Sequence, residues 1–183
     1  MSDWRLTPQN AVLVIVDVQE KLMAVMARRD EVVANIKKLA AAAKILGVPT
    51  LVTTQYAKGI GPTLAEVAEA AGNPSAMDKI TFSCCRHEEF ARAVKELRRP
   101  RVILCGVETH VCVQQTAIDL MVDGRSVYVC ADAVCSRRDS DRDTAIARIR
   151  DCGAVITTVE SAVFEMLRQA GTAEFKACLT LFR

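Results

Sequence analysis

Five short runs of apolar, mostly β-branched residues form the main pattern in the chain. Each run has about the length of a strand, and its apolar residues follow one another instead of alternating with polar ones. This is typical of parallel strands that are buried on both faces of a sheet. The predicted strands cover residues 11–16, 50–54, 101–105, 126–130 and 154–158.

Longer segments with helical periodicity separate these runs. Over 30–46 apolar residues recur every three or four positions, and Asp30 and Gly47 are suited to cap the two ends. The segment 57–79 is rich in glycine and proline, so we interpret it as an excursion with one short helix, of a kind that often walls a pocket. The other predicted helices, and the one inside the excursion, cover residues 63–71, 87–97, 111–121, 140–151, 161–169 and 172–181.

This alternation of strands and helices predicts an α/β fold. We expect a three-layer sandwich with a mostly parallel, doubly wound sheet of about six strands, formed by residues 1–183 as a single domain. In such sheets, binding sites lie at the carboxyl ends of the strands. The loops that begin at Asp17, Gln55, Gly106 and Ala131 follow four of the predicted strands, and we expect them to face one crevice.

Composition narrows the classes of protein that the chain can belong to. Its 183 residues are 51% hydrophobic, which is enough for a sizeable core. With 24 basic and 22 acidic residues, the net charge of +2 argues against a nucleic acid or an anionic membrane as partner. The first residues lack the pattern of an export signal, so we expect a cytoplasmic protein whose eight cysteines are mostly reduced and buried.

Cys112 is the most informative residue, because it lies at the head of an apparent helix directly after the loop 106–111. There, backbone N–H groups and the helix dipole can help a thiol to ionise. A free thiol has a pKa near ~8.5, and lowering it to ~6.5 requires about 2.7 kcal/mol, which is more than a helix N-terminus supplies. The chemistry therefore calls for a cation as well, and for a carboxylate that moves the proton.

Two residues are candidates for these roles. Asp17 ends the first predicted strand at the rim of the crevice, where an aspartate is as often a helix cap as a catalyst. Lys79 is flanked by apolar residues after the excursion and can supply the cation, although an isolated lysine is more often a surface residue.

The remaining polar residues form no recognised metal or cofactor motif. His110, two residues before Cys112, is suited either to act as a base or to line a pocket. The sequence has no cysteine pairs spaced as in zinc or thioredoxin-like sites, no P-loop and no dinucleotide-binding glycine pattern. We expect neither a metal nor a cofactor.

Three motifs give the chain a resemblance, along nearly its whole length, to the isochorismatase-like cysteine hydrolases. Residues 16–19 (Val-Asp-Val-Gln) resemble the aspartate motif of that family. Residues 79–83 (Lys-Ile-Thr-Phe-Ser) resemble its lysine motif, and residues 106–113 (Gly-Val-Glu-Thr-His-Val-Cys-Val) its nucleophile motif. The order and the spacing of the three motifs also agree with the family.

The resemblance implies a catalytic triad and its surroundings. In this triad Cys112 is the nucleophile, Asp17 the general base and acid, and Lys79 the cation that stabilises the thiolate. The resemblance also implies a cis peptide bond between Val107 and Glu108, and an oxyanion hole formed by the backbone N–H groups of Glu108 and Cys112. Members of the family are commonly homo-oligomers.

The chain also departs from two groups within the family. Nicotinamidases carry an aspartate and histidine metal motif after the second strand, where this chain reads Thr-Thr-Gln-Tyr-Ala-Lys over 53–58. True isochorismatases lack the nucleophilic cysteine. The chain most resembles the isochorismatase domain-containing protein 2 type, and the residues expected to line its substrate pocket are Gln19, Gln55, Tyr56, Phe82 and His110.

These features lead to one main hypothesis and two alternatives. The main hypothesis is a metal-independent cysteine hydrolase that cleaves a small amide or a related C–N bond through a thioester intermediate. The first alternative is a binding or scaffold protein that keeps the fold without turnover. The second is a thiol redox sensor, because Cys105 and Cys112 are near each other in sequence.

Overall fold

The computed structural model describes residues 5–183, in which six strands form one wholly parallel sheet. Residues 1–4, on which the expected lack of an export signal partly rests, lie outside the described residues. The sheet and its flanking helices confirm the predicted α/β sandwich. The strands are β1 (Ala11–Val16), β2 (Thr50–Gln55), β3 (Met77–Lys79), β4 (Arg101–Val107), β5 (Ser126–Cys135) and β6 (Val155–Thr157).

Helices cover both faces of the sheet. The hydrophobic core on one face is formed with α2, α8 and α9, and the core on the other face with α5, α6 and α7. The helices are α1 (Glu20–Met23), α2 (Arg29–Leu46), α3 (Ala57–Ile60), α4 (Ala65–Ala70), α5 (Glu88–Glu96), α6 (Gln114–Val122), α7 (Asp139–Asp151), α8 (Val159–Leu167) and α9 (Ala173–Leu179).

Strand β1 shows why the predicted strands are apolar without alternation. Its side chains at Leu13 and Ile15 enter one core, and those at Val12 and Val14 enter the other. All of them are fully buried. A central strand of this kind has no face in contact with water, so no position favours a polar residue.

Three details differ from the sequence-based expectation. Strand β3 was not among the predicted strands, because Met77–Lys79 is short and has an exposed aspartate at its centre. Helix α2 begins at Arg29, so that Asp30 lies in the first turn and does not cap it, whereas Gly47 does close the helix in a left-handed conformation. Two short helices, α1 and α3, were not expected either.

A further difference concerns the loop expected at Ala131 and Asp132. Strand β5 continues through these residues to Cys135, with an irregularity in its pairing to β4. The carboxylate of Asp132 accepts the N–H of Val159 at the start of α8. Asp132 is therefore not part of the crevice, and the residue that follows β5 at the rim is Ser136.

The spatial strand order, β3-β2-β1-β4-β5-β6, places a reversal of direction between β1 and β4. Strands β2 and β3 are added in turn on one side of β1, and strands β5 and β6 are added in turn on the far side of β4. The loops that leave two such neighbouring strands diverge and open a crevice at their carboxyl ends. Asp17 follows β1 directly and Cys112 follows β4 after a short loop, so both lie at this reversal.

Gly106 allows β1 and β4 to meet closely at that point. It is paired with Val16 in the sheet and has φ of +115°. A Cβ atom on residue 106 would overlap the carbonyl oxygen of Val16 and lie 2.7 Å from its backbone nitrogen. Since these are backbone atoms at the centre of the sheet, they cannot give way as a flexible side chain would.

We expect Gly106→Ala to lower the free energy of unfolding by about 3 to 5 kcal/mol, because it adds overlap to an unfavourable φ. Gly124 is the matched control, since it also has positive φ but nothing within 4 Å of an added Cβ. Gly124→Ala should cost about 1 to 2 kcal/mol. Urea unfolding of both variants measures the difference, and equal losses would show that the close approach to Val16 is unimportant.

Candidate active site

A buried ion pair lies at the centre of the crevice. The Lys79 ammonium is 2.7 Å from Asp17 Oδ2, and both side chains are completely shielded from solvent. Nζ of Lys79 also donates to Gln55 Oε1 at 2.7 Å and to the carbonyl oxygen of Thr81 at 3.1 Å. The three hydrogens of the ammonium therefore each have an acceptor, as a buried cation requires.

The sheet explains why a lysine forms this pair. Lys79 ends β3, which is separated from β1 by the whole of β2, so the two strands are about 10 Å apart. A long side chain is needed to bridge that distance to Asp17. Asp17 itself leaves β1 with φ of +52°, a conformation that aspartate tolerates better than most residues.

Strand β2 contributes two residues that form hydrogen bonds with the ion pair. Thr53 donates its hydroxyl hydrogen to Asp17 Oδ1 at 2.8 Å, and Gln55 accepts from Lys79. They are two positions apart on one strand and so share a face. Sequence reasoning did not assign Thr53, although a polar residue inside a strand predicted to be buried is the signal that would have marked it.

Cys112 lies above this pair, with 6% of its surface exposed. It is in a π-helical turn, Thr109–Val113, that continues into α6. π turns within α-helices are frequent at functional sites. The peptide bond between Val107 and Glu108, which leads into this turn, is cis, at the position that the family resemblance had indicated.

The environment of Cys112 favours the neutral thiol. Burial raises its pKa well above the ordinary value, and the Asp17 carboxylate raises it further, both through its charge and as a hydrogen-bond acceptor. Lys79 acts in the opposite direction but does not outweigh these effects. A helix start and a cation therefore do not compensate for burial beside a carboxylate at this position.

Lys79 stays charged in the same surroundings. Burial by itself lowers the pKa of the ammonium, but the Asp17 carboxylate, through its charge and as a hydrogen-bond acceptor, raises it, and the net shift is upward. The charged form of Lys79 thus contributes to stability at neutral pH, and this contribution is lost as the pH rises above the ordinary lysine range.

The five residues expected to line the pocket have different surroundings. Gln19 is fully buried, and its amide exchanges hydrogen bonds with the backbone of Gln55 and donates to the carbonyl oxygen of Gly61. The amide of Gln55 joins Lys79 to the carbonyl oxygen of Ile80. Both amides are thus occupied in holding the site together.

The other three residues lie nearer to solvent. Tyr56 and Phe82 are 48% and 53% exposed. Tyr56 directly follows Gln55 at the end of β2, and Phe82 lies in the loop after Lys79. Nδ1 of His110 lies 2.9 Å from the hydroxyl oxygen of Ser136, the residue that follows β5.

A second thiol, that of Cys84, lies behind the ion pair. Its Sγ is 3.7 Å from Thr53 Oγ1, and the side chain has no exposed surface. Burial, followed by the charge of Asp17, raises the pKa of Cys84 to about 11. Sequence reasoning assigned no role to this cysteine, because no spacing motif involves it.

Cys105 lies apart from these thiols. Its Sγ approaches the carbonyl oxygen of Val14 at 3.7 Å, and it belongs to the core on the opposite face of the sheet from Cys112. The pairing of Cys105 with Cys112 that was expected for a redox sensor is therefore wrong. In residues 5–183, no group of three or more His, Cys, Asp or Glu side chains is placed to hold a metal ion.

The comparison with known proteins agrees with the geometry. The Isochorismatase domain profile matches residues 11–161 of the 183. The chain belongs to the isochorismatase family. Within the family it is similar to the Secreted isochorismatase effector Isc1 of Phytophthora sojae, with 40% identity over 98% of this chain and 87% of that protein. It is also similar to Isochorismatase domain-containing protein 2 of Danio rerio, with 36% identity over 94% and 86%.

Two solved structures show the same fold. The MAR1 ribonuclease of Caenorhabditis elegans superposes with a TM-score of 0.92 at 36% identity, covering 97% of this chain and 91% of that one. The YcaC gene product of Escherichia coli, described as an octameric hydrolase of unknown specificity, gives 0.91 at 27% identity, covering 100% and 91%. Within the described part of this chain, no helix is long and apolar enough to cross a membrane.

The opposing effects of Asp17 and Lys79 on the pKa of Cys112 predict opposite changes in its reactivity at pH 7. Asp17→Asn should speed alkylation of Cys112 by iodoacetamide, because it removes the charge that disfavours the thiolate. Lys79→Met should slow the same reaction. The rate is measured by mass spectrometry of the peptide that contains Cys112.

The chain supplies its own controls for this measurement. The exposed Cys152 should react at one rate in all three proteins, and faster than Cys112 in the wild type. The fully buried Cys105 should stay unmodified unless a variant has unfolded. Equal rates at Cys112 in the three folded proteins would contradict the electrostatic account.

Proposed function

We propose that the protein is a metal-independent cysteine hydrolase that cleaves a small amide or a related C–N bond through a thioester intermediate. The observation that carries this proposal is the buried Asp17–Lys79 ion pair beside the nearly buried thiol of Cys112. Burying two charges is costly, and a sheet edge that holds them next to a nucleophile is suited to acid–base catalysis.

In the first step Asp17 accepts the proton of the Cys112 thiol while Sγ attacks the carbonyl carbon of the substrate. The carbonyl oxygen becomes an oxyanion, which the backbone N–H groups of Glu108 and Cys112 are proposed to stabilise. Donors of this kind contribute about 2.7 to 4 kcal/mol each in the transition state. Lys79 compensates the negative charge that the reaction moves onto the sulfur.

In the second step the C–N bond breaks, and the proton that Asp17 has held passes to the leaving nitrogen. Ammonia or an amine departs, and the acyl group remains on Cys112 as a thioester. Asp17, now a carboxylate again, then takes a proton from water as the water attacks the thioester carbon. Return of that proton to the sulfur releases the acid and restores the resting thiol.

The residues of β2 support a reaction without a metal. Where metal-binding relatives are expected to carry their ligands, Thr53 and Gln55 instead bind Asp17 and Lys79 directly. The substrate oxygen would then be stabilised by backbone donors and not by a Lewis acid.

Hydrolysis of a panel of small amides, followed by ammonia or amine release, tests the proposal. Cys112→Ala should lower kcat at least about 1000-fold, and acid quenching of the wild type should reveal an acyl group on the peptide that contains Cys112. Cys152→Ser, which alters an exposed thiol, should retain full activity. A protein that turns over no member of the panel and never becomes acylated would instead be a binding protein with this fold.

The name of the similar MAR1 ribonuclease suggests RNA as a second substrate, to be tested beside the small amides. RNA can be cleaved with its own ribose 2′-hydroxyl as nucleophile. That reaction needs no thiol nucleophile. RNA cleavage that survives Cys112→Ala would favour a ribonuclease, whereas loss of amide hydrolysis in the same variant favours the cysteine mechanism.

We further propose a homo-oligomer in the cytoplasm. The similar YcaC protein is octameric, which supports self-association. All eight cysteines are free thiols, as is usual in a reducing compartment, although one similar protein is a secreted effector. Light scattering on the purified protein and fractionation of cells that express it would test the two statements.

A further inference from the structure

A chain of hydrogen-bonding side chains leads into the oxygen of Asp17 that Lys79 does not contact. Thr53 donates to Asp17 Oδ1 at 2.8 Å, and Cys84 Sγ lies 3.7 Å from the same threonine oxygen. All three side chains are completely buried. Neither Thr53 nor Cys84 belongs to the triad.

The direction of this chain follows from the number of hydrogens. A threonine hydroxyl has one, and here it goes to Asp17, so in the contact with Cys84 the sulfur must be the donor. Cys84 keeps its hydrogen at neutral pH because its pKa is raised to about 11. The backbone N–H of Cys84 donates to Thr116 Oγ1 at 2.9 Å, which joins the chain to α6, the helix that continues from Cys112.

The carboxylate needs this second donor. A contact with Lys79 at one oxygen leaves the carboxylate free to rotate about the Cβ–Cγ bond of Asp17, since that torsion has broad minima. A donor at the other oxygen fixes the plane and so determines which lone pair faces Cys112. Misplacement of a catalytic group by small distances is enough to reduce rates greatly.

We infer that Thr53 is a positioning residue for Asp17, whose hydroxyl orients the carboxylate toward Cys112 and is itself oriented by the thiol of Cys84. As a statement about rate, this rests on the function proposed above. The titratable groups that face Asp17 are Lys79 from β3, Cys112 from the π turn, and Cys84 from the 3-10 turn that precedes α5. The Thr53 hydroxyl is a non-titrating donor among them.

Thr53→Val tests the inference, because it removes the hydroxyl and keeps the shape of the side chain. We expect kcat to fall about 10- to 100-fold, as for loss of a hydrogen bond to a charged group, with KM changed less than about twofold. Thr53→Ser, which restores the hydroxyl, should restore kcat.

Thr54 provides the matched control. It is the next residue on β2 and is also buried, but its hydroxyl donates to Asp78 Oδ1 at 3.0 Å and not to Asp17. Thr54→Val should therefore leave kcat and KM as they are in the wild type. An equal loss of kcat in both valine variants, or no loss in Thr53→Val, would overturn the inference.

A second readout needs no substrate. The rate at which acrylamide modifies Cys112 at pH 7, followed on its peptide, depends on how the Asp17 carboxylate is placed beside the thiol. This rate should differ from the wild type in Thr53→Val and equal it in Thr53→Ser and Thr54→Val. If the wild type hydrolyses no amide, the proposed function fails, while this rate still decides whether Thr53 acts on Asp17.

Discussion

The desolvation of Asp17 and Lys79 is the constraint on which the site depends. Each ion loses several kcal/mol of hydration when it is buried, and removal of either partner would leave an uncompensated charge. The protein offsets this cost with complete pairing: three acceptors around the ammonium, and donors on both carboxylate oxygens. Because these partners come from β2 and the loop after β3, the ion pair requires the sheet to be assembled.

Strand order then determines what can meet the pair. The reversal between β1 and β4 places the loop that carries Cys112 beside the end of β1, and Gly106 lets the two backbones approach closely enough for this. The two halves of the sheet thus contribute different parts of the site. One half supplies the charges, and the other supplies the thiol of Cys112.

Much of this could be predicted from the sequence, and the failures have physical causes. The apolar runs identified β1, β2, β4 and most of β5 because buried parallel strands have no polar face. Short β3 lacked that pattern, and the extension of β5 past Asp132 depends on a pairing irregularity that no local signal marks. Motifs pointed to Asp17, Lys79 and Cys112, whereas the contacts of Thr53 and Cys84 with Asp17 and with each other form only in the folded chain.

The protonation of Cys112 shows why a raised pKa suits the proposed hydrolysis. With the thiol neutral, the charges of the Asp17 carboxylate and the Lys79 ammonium cancel. The thiol then holds the one proton that the reaction must deliver. A resting thiolate would already have lost that proton to solvent, and the leaving nitrogen would have to obtain another. Burial therefore disfavours ionisation of the thiol but keeps its proton next to Asp17. From Asp17 the proton can reach the departing amine.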